Sequence, residues 1–427
     1  MAYIYNNSFV VAWIVWGLAA FFYCYEYLLR ILPSVMTDDL RYLFGINGLA
    51  LGNLSAIYYY AYIPMQLPAG ILMDRFNPRK LLTLACLVCS LGTYWFAQPN
   101  LYLAYIGRFL VGAGSAFAFI GVMKLSILWF KSSYFSFLTG LTTSLGMLGA
   151  MIGNMTLTSL INLMGRNQML RFGSMIGMIL SLCIFFIIPD KPNRNMESTQ
   201  SNVVPISSHI LQIFSLFRDL QIWLLGLVGC CLFLSLTAFA EMWGIPYLTC
   251  CYGLSTHTAA HYNALVFLGW AIGGPLMGTI ASRFTKEKDY LRLIIVNTLL
   301  GALVFSTILY FPHFSKPYLG VLLFLFGFFS AVQVLIFTII RNFYTSNIVG
   351  SAFAVTNLFI MLGGGIAQPI LGYLLDIFSH NHLSKVITFS PSAFTYTLSF
   401  IPAAFVLSTL LTSFIKKPVK QNAGLPS

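Results

Sequence analysis

Twelve stretches of about 20 or more mostly apolar residues follow one another along this chain, each the length a helix needs to cross the hydrocarbon of a bilayer. They fall at 9–32, 47–71, 80–99, 101–127, 134–162, 170–189, 221–249, 259–282, 291–311, 317–340, 349–376 and 393–415. The runs are continuous rather than alternating, which favours helices over a barrel. The longer ones imply tilt or extension beyond the bilayer. Only Gln98 to Asn100 separates the third run from the fourth, so a count between ten and thirteen stays open around the expected twelve. With 58% hydrophobic and 8% charged residues among 427, the chain cannot be disordered, collagen-like or an ordinary cytosolic enzyme.

The few charges are unevenly placed. The 23 Lys+Arg against 11 Asp+Glu give a formal net charge of +12. In a soluble protein that excess would suggest nucleic acid. Here the bases are scattered among apolar runs, and no nucleic-acid partner is expected. With the N-terminus inside, fifteen bases fall on the cytoplasmic side and five (Arg41, Arg166, Arg171, Lys316 and Lys385) on the other. This positive-inside bias predicts a multi-pass protein of the cell inner membrane with both termini in the cytoplasm. No basic region precedes the first run and no small-residue cleavage site follows it, so it reads as a span rather than a signal peptide.

A polar stretch from Asp190 to about Asp219 divides the spans six and six. It predicts one bundle over 1–189, a cytoplasmic linker over 190–220 with an amphipathic piece near 206–217, a second bundle over 221–416 and a cytoplasmic tail over 417–427. The halves show signs of duplication. Gly70-Ile-Leu-Met-Asp74-Arg75 ends span 2 and Gly278-Thr-Ile-Ala-Ser282-Arg283 ends span 8. Glu26 precedes Pro33 in span 1 as Glu241 precedes Pro246 in span 7, and spans 5 and 11 are both rich in glycine. Parallel repeats of this kind build transporters whose site lies between the halves near mid-membrane.

Gly70-Ile-Leu-Met-Asp74-Arg75-Phe-Asn-Pro-Arg79-Lys80 resembles the loop 2–3 signature of the major facilitator superfamily, G-x-x-x-D-R-x-x-x-R-[RK]. Arg108-Phe-Leu-Val-Gly112 resembles its R-x-x-x-G motif in span 4. The glycines of span 5 are similar to its Gly-rich motif, without the Gly-Pro of drug antiporters, which weakens a drug-efflux reading. The likeness covers nearly the whole chain. It implies an all-α membrane protein with twelve transmembrane helices in two pseudo-symmetric six-helix bundles. Tyr25-Glu26-Tyr27-Leu-Leu-Arg30, the Tyr58 to Gly70 segment and Glu241-Met-Trp243-Gly-Ile-Pro246-Tyr resemble the intraphagosomal nutrient transporters of intracellular gammaproteobacteria. They are also similar to the lysosomal dipeptide-transporter branch. The first family implies uptake of amino acids and, in some members, nucleosides.

A charge at the bilayer centre costs about 2.5–3.5 kcal/mol on insertion scales, so Glu26, Arg30, Arg108, Lys124 and Glu241 stand out. Glu26 and Arg30 are spaced i,i+4 on one helix face. They read either as a structural ion pair or as a protonatable carboxylate held by its arginine. Arg108 could pair with Glu26 or present its planar fork to a substrate carboxylate; its match to the superfamily motif adds weight to a functional role. Glu241 has no arginine in its own helix, so it is expected to hold a proton at rest, either as a site or as a neutral group between helices. Lys124 lies near a helix end and could snorkel.

Tyr58, Tyr62 and Gln66 share a face of span 2, with Tyr59 on another face. Trp243, Gln333, Asn357 and Gln368 are the polar candidates of the second half. Each of these could equally be interhelical packing. By resemblance, Gly70, Asp74, Arg75, Arg79 and Lys80 form a cytoplasmic latch between the halves; topology alone would also explain their charges. Cys86-x-x-Cys89 stands alone within a span and reads as core thiols, so no metal is expected.

The expected function is secondary active transport by alternating access, coupled to protons, of a small polar nutrient such as an amino acid or short peptide. An organic-anion or nucleoside symporter or exchanger is the alternative. No cofactor is expected, the proton gradient being the driving force. One chain supplies a complete unit in the bilayer, so a monomer is expected to function. An intramembrane enzyme is disfavoured, because neither H-E-x-x-H, G-x-S-x-G nor an intramembrane aspartate pair occurs.

Overall fold

The computed structural model describes residues 2–131, 134–189, 215–283, 287–311, 315–344, 348–379 and 389–415. The side chains of residues 2–8, 74, 135, 136, 282, 287 and 288 lie outside that description. So do most of the expected linker, at 190–214, and residue 416 with the whole of the expected tail, at 417–427.

The described residues form twelve long helices. Those of the first half are α1 (Ala2–Arg30), α2 (Gly48–Arg75), α3 (Pro78–Phe96), α4 (Leu101–Trp129), α5 (Phe135–Met164) and α6 (Arg166–Ile187). Those of the second are α7 (Leu220–Tyr252), α8 (Thr256–Ser282), α9 (Glu287–Tyr310), α10 (Lys316–Phe343), α11 (Val349–Phe378) and α12 (Pro391–Ser413). The breaks that punctuate the sequence are helix starts. Asn77 accepts the N–H of Arg79 ahead of Pro78, and Asn100 accepts those of Tyr102 and Leu103. This is side-chain capping with proline at the first helical position. Two short helices, Leu32–Val35 and Thr37–Phe44, fill the connection after α1, which the apolar pattern does not foresee. Gly45 ends them at φ 60°, a left-handed position that favours glycine.

Length and apolarity alone mark ten of these helices as able to cross a membrane. The two passed over are α2, which carries Tyr58 to Tyr62 and Gln66, and α3, which opens on Arg79 and Lys80. Both are nonetheless integral to the bundle: α2 packs on α4 and α11, and α3 on α4 and α6. The outer surface is apolar, with Leu84, Leu182, Phe186 and Leu303 exposed, as a lipid-facing surface must be. Inside, small and hydroxyl residues join helices. Ser90 and Ser174 each donate to the other's backbone carbonyl, at 2.7 and 2.8 Å, tying α3 to α6. Cys86 and Cys89 are buried there as free thiols, their sulfhydryls donating to carbonyls of α6 and α4.

The two halves meet mainly along α2 with α11 and α5 with α8. At one end they are in tight contact. A Cβ on Gly48 would meet the carbonyl oxygen of Gly372 at 2.6 Å, and one on Gly52 would meet Pro369 Cα at 2.7 Å. His257 and Ser159 hydrogen-bond across the same end at 3.0 Å. At the opposite ends of these four helices, Gly70, Gly140, Gly278 and Gly350 have no atom of the described residues within 4 Å of the space a Cβ would take. The bundles are therefore closed at the Gly48 end and apart at the Gly70 end.

Candidate functional site

The site begins with the last turn of α1. Glu26 and Arg30 are one turn apart, and Arg30 Nη2 donates to Glu26 Oε1 at 2.6 Å. Tyr58 on α2 completes a triangle: Arg30 Nε donates to its hydroxyl at 3.2 Å, and the hydroxyl donates to Glu26 Oε1 at 2.8 Å. The guanidinium carbon lies 4.3 Å from the Tyr27 ring centroid, 5.1 Å from that of Tyr58 and 5.6 Å from that of Tyr62. An arginine with its charge over aromatic faces and its N–H groups on acceptors suits a low-dielectric interior. Tyr58 lies ten residues into α2, about 15 Å along its axis at ~1.5 Å per residue, which places the cluster deep between the ends.

The second half enters through α7. From Ser235 to Trp243 this helix is a π-helix, a wider turn that re-aims side chains and is frequent at functional sites. Asn263 on α8 supports it, donating to the Ala240 carbonyl at 2.7 Å and to Asn154 Oδ1 of the first half at 3.0 Å. Glu241 sits within the π-helix. Its Oε1 is 3.7 Å from Arg30 Nη1, and its Oε2 accepts a hydrogen bond from the Tyr59 hydroxyl. One guanidinium thus bridges a carboxylate from each half. Glu26, Arg30, Glu241, Tyr58 and Tyr59 are all at most 2% exposed.

Glu241 has no arginine in its own helix, and the one that faces it comes from the other half. The structure also brings in Tyr59, which the i,i+4 reading of span 2 leaves aside, and Tyr27 of α1. The run of three tyrosines was the available signal. With α4 on one side of α2 and α11 on another, more than one face of this helix is interior.

Arg108 does not pair with Glu26; its guanidinium carbon lies 5.3 Å from the Tyr58 ring centroid, and its fork goes to backbone. Its Nη1 donates to the Leu29 carbonyl at 2.9 Å, and its Nη2 lies within hydrogen-bonding reach of the Arg30 and Ser55 carbonyls, at 3.4 and 3.3 Å. It caps the C-terminal carbonyls of α1, where a cation is favoured by the partial negative charge of the helix end. Tyr62 stacks on Tyr58, with centroids 5.6 Å apart, and Gln66 follows one turn on. Trp243 Nε1 donates to the Gln368 carbonyl at 3.2 Å, and Gln368 Nε2 donates to the Thr237 carbonyl at 2.6 Å, so this pair ties the π-helix to α11. Gln333 is buried in the 3-10 turn Ala331–Val334 of α10 and Asn357 is half-buried on α11. Neither shares a hydrogen bond with the hub. Lys124 is half-buried sixteen residues beyond Arg108 on α4, roughly 24 Å along the helix.

At the open end Arg75 and Lys80 are exposed, and Arg79 lies 4.6 Å from the Phe185 centroid of its own half. Gly70 has open space beside it, and the Asp74 side chain lies outside the described residues. A cavity of about 480 Å³ lies at the closed end. Ser34, Arg41, Thr158, Pro246, Cys250 and His257 line it, and none of the hub side chains does. No group of three or more potential metal ligands occurs among the described residues.

Known proteins resemble this chain over its length. A probable sulfoacetate transporter of Cupriavidus necator is 23% identical over 374 residues, covering 84% of this chain and 86% of its own. The lysosomal dipeptide transporter MFSD1 of Homo sapiens is 20% identical over 376 residues, covering 83% and 77%. The crystal structure of a bacterial homolog of the human lysosomal transporter Spinster superposes with a TM-score of 0.73 at 15% identity, covering 94% of this chain and 95% of that one. The sequence profile of the Major Facilitator Superfamily matches residues 8–368. With twelve helices in two six-helix bundles around a shared charged hub, the chain belongs to the Major Facilitator Superfamily and is a membrane transporter.

Proposed function

We propose that this transporter carries out proton-coupled uptake of a small zwitterionic nutrient, an amino acid or short peptide. The observation that carries the reading is the sharing of Arg30 between Glu26 and Glu241 across the halves. With Arg108 held by backbone carbonyls, Arg30 is the guanidinium that contacts both carboxylates, and Arg108 acts on Glu241 only through space. A carboxylate that shares its contacting cation in this way is a site for a proton, because unpaired charge is costly at this depth. A zwitterionic substrate brings no net charge, so that proton stays bound while the substrate ammonium pairs with the ionised carboxylate and the substrate carboxylate engages Arg30. When the halves rock apart at the closed end, the Arg30–Glu241 contact must lengthen while Glu26, on the same helix as Arg30, keeps its partner. Charge pairing and conformation are then one equilibrium, the requirement for coupling.

The basic bias of the loops supports placing the open end in the cytoplasm of an inner membrane, with both termini there and the Gly48 end outside. One chain supplies both halves of the hub, which favours a monomer as the working unit. The relative named for sulfoacetate favours a second reading, an organic anion bound at Arg30. Uptake into proteoliposomes with and without an imposed pH gradient tests the coupling. The expected result is accumulation driven by an acidic exterior in the native protein, and exchange without accumulation in Glu241→Gln. Gradient-driven accumulation retained in that variant would sink the proposal. Thermal-shift screening against amino acids, dipeptides, nucleosides and organic acids identifies the substrate class.

A further inference from the structure

Asp376 stands one turn after Gly372 near the end of α11, in the second half. Its Oδ1 accepts the backbone N–H of Gly48 at 2.7 Å and its Oδ2 that of Leu49 at 2.8 Å. These are the first amides of α2, in the first half, which have no acceptor within their own helix. Asn47 caps the amide of Ala50, so the start of α2 is satisfied partly by its own chain and partly by a carboxylate from across the interface. The positive end of a helix meets a full negative charge there, the favourable orientation.

The backbones around this contact are as close as glycine allows. A Cβ on Gly48 would meet Asp376 Oδ1 at 2.9 Å as well as the Gly372 carbonyl, and α2 touches α11 again at Gly52. Arg41 stands near. Its guanidinium lies 4.0 Å from the Phe389 ring centroid, and its electrostatic neighbours include Asp38 and Asp376. The carboxylate thus has two backbone donors fixed by helix geometry and a cation close by. The sequence carries a parallel: Gly372-Tyr-Leu-Leu-Asp376 has the G-x-x-x-D spacing of Gly70-Ile-Leu-Met-Asp74, in the opposite half and at the opposite end of the molecule.

We propose that Asp376 is a positioning residue of the transport cycle, the latch that holds α2 to α11 when the Gly48 end is closed and releases α2 when that end opens. The contact suits that task. Asp376 is only half-buried, so water can rehydrate the carboxylate and both amides once the helices part, and the latch breaks without stranding a buried charge. The inference rests on alternating access and not on the identity of the substrate or coupling ion.

The test uses the purified full-length protein in lipid nanodiscs, with no substrate and no gradient. Its readout is the rate at which a maleimide labels Cys250, followed by peptide mass mapping. Cys250 donates its sulfhydryl to the Phe389 carbonyl at 3.2 Å and lines the closed-end cavity together with Thr158 and Asn162 of the other half. Opening of that end exposes it. Cys183 on α6 serves as internal reference. Loss of two hydrogen bonds to a charged acceptor predicts a rise of about tenfold or more in Cys250 labelling for Asp376→Ala. A smaller rise is expected for Asp376→Asn, which keeps one acceptor, with Cys183 unchanged in both. Gly52→Ala, which crowds the same helix pair without touching the carboxylate, is expected to raise the Cys250 rate as well. Unchanged Cys250 labelling in Asp376→Ala would overturn the proposal. So would an equal rise at Cys183, which would make Asp376 a support of folding rather than of the closed conformation.

Discussion

Arg30 has three nitrogens and the hub uses each of them differently: Nη2 holds Glu26, Nε meets Tyr58 and Nη1 faces Glu241 across the halves. A lysine in its place offers one compact ammonium, which cannot reach all three acceptors in that geometry. Arg30→Lys is therefore expected to reduce uptake to near background while the protein still assembles, as measured by transport alongside a melting curve in detergent. The Tyr59 hydroxyl makes a different prediction. It donates to Glu241 from the other half, and a hydrogen bond to a charged group is worth about 1.5–3 kcal/mol. Tyr59→Phe and Glu241→Gln remove the same interaction from its two sides. A double-mutant cycle on uptake rates should show the double variant little worse than the poorer single one; strictly additive losses would show that the two residues act separately.

At the scale of elements, the π-helix of α7 is the unusual feature, because it carries Glu241 and widens the turn that aims it. Asn263 is the residue that stabilises it from outside, joining the Ala240 carbonyl to Asn154 of the first half. Asn263→Ala leaves a buried carbonyl and a buried amide oxygen without that donor. It is expected to cost about 1–3 kcal/mol, visible as a lower unfolding midpoint, and to lower uptake through Glu241. Apolar length set the positions of the spans well enough that each matches a helix, including α2 and α3, whose polar residues lower their hydropathy. Of the five charges that stood out in the spans, Glu26, Arg30 and Glu241 meet at one point, Arg108 stands behind it on backbone carbonyls and Lys124 lies apart. The partnerships were less legible. An i,i+4 stripe supposes one interior face and so passes over Tyr59, whereas α2 lies between α4 and α11. The carbonyls that hold Arg108 belong to the backbone, which carries no signature in side-chain identity. A π-helix depends on tertiary support such as that of Asn263, which local composition does not encode.

For the whole molecule, the same four helices, α2, α5, α8 and α11, are tight at one end and apart at the other. A rocking transporter must reverse that arrangement, so bulk added at the two ends should bias it in opposite directions. Gly52 has the Pro369 backbone where a side chain would go, and Gly278 has no atom of the described residues within 4 Å. Gly52→Leu cannot be accommodated with the Gly48 end closed, because what it meets is backbone rather than a flexible side chain. It is expected to hold that end open and to raise labelling of Cys250. Gly278→Leu fits the present conformation and obstructs approach of the helices at the Gly70 end, so it is expected to keep the Gly48 end closed and to lower Cys250 labelling below the native rate. Both variants should lose counterflow, which needs the full cycle, and both should keep a substrate-induced thermal shift, because neither residue belongs to the hub. Counterflow at the native rate in either variant would mean that the helices it crowds do not close on each other during transport.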